Sequence, residues 1–150
     1  MRRIREGAHW RDVAAAAFDH QGSCGNGAAM RVAPLGAGYA GDPERIVAEA
    51  IRSAEVTHLH REGVAGAVAV AVAAGCAATA RMSGMHPTPA AFIDDILPYL
   101  DDGETTRRIR QARASLGPGR GGRERARQRL PGDGPRYGAA RDLGRGNTSR

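Results

Sequence analysis

Residues 63 to 80, GVAGAVAVAVAAGCAATA, run for 18 positions without a charge, and no other stretch restricts the fold as much. A membrane-spanning helix needs about 20 predominantly apolar residues, whereas this run is mostly Ala, with three Gly and a Thr. The spacing predicts a helix over 64–80, buried in a core of other helices rather than in a bilayer. The 150 residues amount to one domain's length of chain. Only 4% are aromatic, so the core must rest on Ala, Val, Leu and Ile.

The segments around this run carry helical signals. Residues 9–18, HWRDVAAAAF, place Trp10, Val13, Ala14 and Ala17 on one face. Pro34 is expected to kink or end a helix after residue 27. In GDPERIVAEAIRSAEVTHLH, Asp42 is a suitable N-cap, Pro43 fits the first turn, and Glu44 complements the positive helix start. Ile46, Val47, Ala50, Ile51, Ala54 and His58 follow the 3.6-residue period, and Glu62 with Gly63 breaks the chain before the next helix. Thr88 and Pro89 start another helix, with Phe92, Ile93, Ile96 and Leu97 as its buried stripe. Residues 103–116 predict a last one. No stretch alternates as a strand would, so the expected class is all-α.

Charge divides the chain in two. Residues 1–116 hold 13 Arg against 13 Asp plus Glu, while residues 117–150 hold 9 Arg against 3 acids and so supply the whole net charge of +6. That tail has nine Gly among its 34 residues and no apolar period. Such a composition cannot bury enough surface to offset chain entropy and is expected to be disordered. Its GPGRGGRERARQR superficially resembles an arginine-glycine RNA-binding tract. It has one Arg-Gly-Gly and one aromatic, Tyr137, so nucleic-acid binding through the tail is expected only as the less favoured alternative.

Cys24 and Cys76 have no neighbours at a ligand spacing, which argues against a disulfide framework or a zinc site. MRRIREGAHW has no apolar stretch behind its basic residues, so no signal peptide is read and a cytoplasmic location is expected.

Two stretches could carry chemistry. In GSCGNGAAMR, residues 22–31, the glycines let the backbone approach a ligand closely. Ser23 and Asn26 add neutral donors suited to phosphate oxygens or ribose hydroxyls. The stretch is neither a P-loop nor a dinucleotide fingerprint. On these residues alone, a structural turn and a phosphate cradle both stand. In THLH, His58 and His60 would not share a helix face, so a joint metal site is not expected. Each His can sit favourably at a helix C-terminus, or one can donate to a substrate oxygen.

Taken in order, these elements resemble the ADP-ribosylglycohydrolase family, which includes the dinitrogenase reductase-activating glycohydrolase. They are Ser-x-Gly-Asn-Gly, Ala-Met-Arg and Pro-Leu-Gly, then Thr-His about 30 residues beyond the Gly-Asn-Gly, then Gly-Ala opening an apolar helix. The resemblance runs from Trp10 to Ala80 and more loosely to Leu116. It implies an all-α domain that hydrolyses the glycosidic bond between ADP-ribose and a protein side chain or related acceptor. Ser23, Gly25, Asn26 and Gly27 would cradle the diphosphate and ribose, and His58 would reach the same ligand. Met30 and Arg31 would pack and brace the loop. Cys24 stands where the family commonly has an aromatic residue.

The family also implies a pair of Mg²⁺ or Mn²⁺ ions held by carboxylates. Its early Gly-Asp, its Thr-Asp-Asp and its downstream Asp-x-Asp-Thr segments are absent. Asp94 and Asp95, in IDDIL, are expected on a solvated helix face instead. The chain therefore reads as the middle of a longer enzyme. Residues 1–116 would be a partial, monomeric domain, and 117–150 a tail read out of frame. No catalytic residue is assigned and hydrolysis by this chain is expected to be undetectable. The alternative is a catalytically silent module that binds ADP-ribose or an ADP-ribosylated protein.

Overall fold

The Ala/Val run becomes the helix on which the other helices pack. A computed structural model describes residues 2–117. Its elements are α1 (Arg2–Arg5), α2 (Trp10–Ala15), α3 (Ala17–His20), α4 (Gly27–Arg31), α5 (Ala33–Gly38), α6 (Pro43–Glu55), α7 (Arg61–Met82), α8 (Pro89–Ile96), a 3-10 turn (Leu97–Tyr99) and α9 (Glu104–Ser115). Among the described residues there is no strand, and the class is all-α. The tail from residue 118 onward lies outside the described residues, and with it the expectations about its order and reading frame.

By length and composition alone α7 could cross a membrane. Here it packs against α4, α5 and α6, and against α8 and α9. Gly63, Ala67, Val68, Ala69, Ala71, Val72 and Gly75 are its buried positions. Small residues set how closely its neighbours approach. A Cβ built on Gly36 would stand 2.7 Å from the Ala71 carbonyl carbon and 2.9 Å from its Cα, so α5 lies on α7 backbone to backbone. The Ile46 Cδ1 atom fills the space that a Cβ on Gly75 would need, which seats α6 against the same helix. Ile46, Val32 and Val72 are the largest fully buried apolar side chains, and together they tie α6, the α4–α5 junction and α7 into one core.

The caps behave as their residue types require. The Asp42 carboxylate accepts from the Arg45 N–H at 3.1 Å, and the Thr88 hydroxyl accepts from the Ala91 N–H at 3.2 Å, each ahead of a proline in the first turn. Pro34 sits just past a break in the helical path, in the first turn of α5. Val32 between α4 and α5 keeps right-handed angles (φ −92°, ψ −12°), and the break falls where proline's missing N–H leaves a gap in the ladder.

Three local expectations change. The 9–18 helix stops at Ala15, because Phe18, Asp19 and His20 adopt left-handed angles with φ of 54°, 56° and 65°. Such angles cost roughly 1–2 kcal/mol per residue, so they mark an enforced redirection of the chain into the glycine-rich loop. Glu62 and Gly63 do not break the chain but form the first turn of α7, which begins at Arg61. Asp94 is not simply solvated. Arg113 on α9 donates to both its carboxylate oxygens, at 2.7 and 2.8 Å, and so joins α8 to α9.

Candidate functional site

The loop from Gly22 to Asn26 leads from the left-handed turn into α4. Gly22 has φ +75°, and a Cβ there would lie 2.7 Å from the His60 backbone nitrogen. The loop is thus pressed directly on the chain that joins α6 to α7. Gly63, in the first turn of α7, supports it from beneath. A Cβ on Gly63 would stand 2.8 Å from the Ser23 carbonyl oxygen and 3.6 Å from the Cys24 Cα. Within the loop the Gly25 N–H donates to the Ser23 hydroxyl at 3.3 Å. Asn26 occupies the N-cap position of α4 but makes no side-chain cap bond, so its exposed amide is not used by the helix.

His58 stands against this loop. Its Nε2 is 3.6 Å from where a Cβ on Gly25 would be and 3.3 Å from the equivalent point on Gly27, whose Cβ would also be 3.1 Å from Cε1. A side chain at 27 would crowd the ring, whereas one at 25 would meet it at ordinary contact distance. The helix preceding His58 ends at Glu55, earlier than the apolar period suggests. The His58 N–H then donates to the Ala54 carbonyl at 2.8 Å, which holds the residue one turn past α6.

The two histidines do different things. His60 is the N-cap of α7 and its Nδ1 accepts from the Glu62 N–H at 3.2 Å. His58 faces the glycine loop. Of the sequence candidates, Ser23, Gly25, Gly27 and His58 are therefore brought together, and Asn26 sits at the rim where the loop enters α4. Arg31 does brace the site, donating to the Ser53 carbonyl at 2.6 Å and to the Thr57 hydroxyl at 2.9 Å. Met30 does not pack as expected; it is 77% exposed. Cys24 is exposed, and Cys76 is half-buried on α7, where burial and then the Asp95 carboxylate push its thiol up.

Thr57, Gly63 and Glu62 are the residues that sequence reasoning missed. Thr57 was visible within the Thr-His pair, but nothing local assigned its hydroxyl a partner. Glu62 reaches from α7 to cap a different helix, accepting from the Glu104 N–H at 3.1 Å and the Thr105 N–H at 2.8 Å. The Thr105 N–H is the main cause of a lowered Glu62 pKa, which the Glu104 N–H and Arg61 reinforce and burial opposes. A carboxylate with a depressed folded-state pKa stabilises the fold above the unfolded value, about 4.3, and that contribution fades as pH falls through the folded one. Glu62→Gln is expected to cost about 1–2 kcal/mol at neutral pH. Denaturant titrations at a series of pH values should show the gap between wild type and variant closing as pH falls below the ordinary glutamate range. A gap that persists or widens in acid would contradict this assignment.

Among the described residues no three His, Cys, Asp or Glu side chains converge on a point that could hold a metal ion. The acid beside the loop, Glu62, is committed to the start of α9, and Asp94 is committed to Arg113. The described residues do not fit a carboxylate-bridged divalent pair, whose ions need several hard oxygen ligands.

Comparison with known proteins gives the family of the chain. The sequence profile of the ADP-ribosylglycohydrolase family matches residues 1–144, and the chain belongs to that family. It is similar to the ADP-ribosylhydrolase ARH3 of Xenopus tropicalis, with 34% identity over 93 residues. That match covers 62% of this chain and 25% of the length of the relative. No solved structure matches significantly.

Proposed function

We propose that residues 22–27 and His58 form the ADP-ribose-binding side of an ADP-ribosylglycohydrolase site. The observation that carries this is the close approach of the His58 ring to Gly27, with Gly25 alongside, which brings the two family motifs side by side. Ser23 accepts from within the loop and leaves its hydroxyl proton for an outside acceptor. The Asn26 amide, free of any capping duty, adds two donors. Loop N–H groups and His58 would complete a neutral, donor-rich cradle, in which a diphosphate would accept charge-assisted hydrogen bonds. The family's hydrolysis depends on divalent metal, which when bound activates water and polarises the bond to be cleaved. This chain's own share is to hold and orient the ADP-ribose.

Calorimetry with ADP-ribose tests the reading. Asn26→Ala is expected to weaken binding about tenfold or more, the loss of hydrogen bonds to a charged group. Equal heats for wild type and variant would remove the cradle. A second reading, a module that binds ADP-ribose without cleaving it, is favoured by the commitment of Glu62 and Asp94 to other helices. Release of ADP-ribose from ADP-ribosyl-arginine in Mg²⁺, abolished by a chelator, would exclude that second reading.

A further inference from the structure

His58 offers its two ring nitrogens to different neighbours. Nε2 faces the Gly25–Gly27 backbone, while Nδ1 lies 2.7 Å from the Thr57 hydroxyl oxygen. That hydroxyl is also the acceptor for Arg31 Nη2 at 2.9 Å. A guanidinium can only donate, so Arg31 occupies one lone pair of Oγ1. The Ser53 carbonyl, the partner a threonine at this position would take one turn back along α6, already accepts from Arg31 at 2.6 Å. With Arg31 donating from one side, Thr57 still has its hydroxyl proton to give, and His58 Nδ1 lies within reach of it at 2.7 Å. A neutral imidazole that accepts at Nδ1 carries its proton at Nε2, the nitrogen that faces the loop.

We propose that Arg31 and Thr57 are positioning residues that fix His58 as the Nε2–H tautomer, aimed at an oxygen of the ligand in the glycine loop. This rests on the reading of that loop as an ADP-ribose cradle. Arg31 ends α4, the helix that the loop opens, and Thr57 lies just past α6. The relay therefore holds the loop side and the histidine side of the site in one geometry. Arg31 sets Thr57, Thr57 sets the ring, and the ring presents a donor without adding a charge.

Nitrogen-15 NMR of the His58 ring in the ligand-free full chain, under conditions where the ring is neutral, is the first test. Nε2 is expected to appear protonated and Nδ1 unprotonated, and Nδ1 protonated instead would overturn the proposal. The second test is ADP-ribose affinity. Thr57→Val, which keeps the shape and removes the hydroxyl, should weaken binding about tenfold, and Thr57→Ser should restore it. Unchanged affinity in Thr57→Val would overturn the proposal, as would failure of Thr57→Ser to rescue a weakened one. If the wild-type chain does not bind ADP-ribose, the cradle reading fails. The ring spectrum, which needs neither ligand nor variant, still decides the tautomer.

Discussion

Gly36→Ala is expected to lower the unfolding free energy by about 3 kcal/mol or more, the upper end of what overpacking costs. The melting temperature should fall by about 10 °C or more. The reason is what the new methyl group would meet. Its neighbours are the carbonyl carbon and Cα of Ala71 on α7, at 2.7 and 2.9 Å, and backbone cannot rotate away as a side chain can. Relief requires α5 to lift off α7, which would open the contact that buries Val32 and Val72. Gly38, in the same helix, is the control, because a Cβ there meets nothing within 4 Å. Gly38→Ala should be neutral or slightly stabilising, since alanine restricts the unfolded chain. Thermal unfolding followed by circular dichroism separates the two. A Gly36→Ala protein that melts with the wild type would show that α5 does not lie on α7 in this way.

Gly22→Ala combines two penalties and should also abolish ligand binding. Its φ of +75° is strained for any residue with a Cβ, and that Cβ would stand 2.7 Å from His60 N and 3.0 Å from the Leu59 carbonyl carbon. The strain is worth roughly 1–2 kcal/mol and the overlap about 1–3 kcal/mol. Gly41→Ala isolates the first part, because Gly41 has φ +93° and open space around its Cβ position. The excess cost of Gly22→Ala over Gly41→Ala measures the packing of the loop on the α6–α7 connection. In the direction that relieves the overlap, the loop moves away from His60 and so from its register with His58. ADP-ribose affinity should therefore drop more than tenfold in Gly22→Ala and stay unchanged in Gly41→Ala. Equal destabilisation in both, with binding retained, would mean that the loop tolerates displacement.

What the chain declares locally and what it does not can be traced to particular residues. Asp42 and Thr88 each cap a helix three residues on, a range within which residue type and spacing suffice. The uncharged run of α7 likewise specifies a long apolar helix about which the others pack, although Val70 and Ala77 on it stay exposed. The motifs around Asn26 and His58 were legible as a pair because their order and spacing match a family. Why they meet was not. Gly63 reads as a breaker in the sequence, yet it is the seat on which the Ser23–Cys24 backbone rests.

The remaining determinants are distant partners. Glu62 caps α9 across 42 residues, Arg31 reaches Thr57 across 26, and Arg113 takes Asp94 across 19. No local pattern distinguishes these charges from solvated ones, since a carboxylate or guanidinium looks the same in the sequence whether it faces water or a backbone N–H. Helices, caps, fold class and the identity of the two motifs belong to the sequence itself, because they depend on near neighbours and on order along the chain. Only the tertiary structure decided that His60 caps α7 while Thr57 stands beside His58 Nδ1. Both depend on where α6 stops and on how closely glycine lets one backbone lie on another.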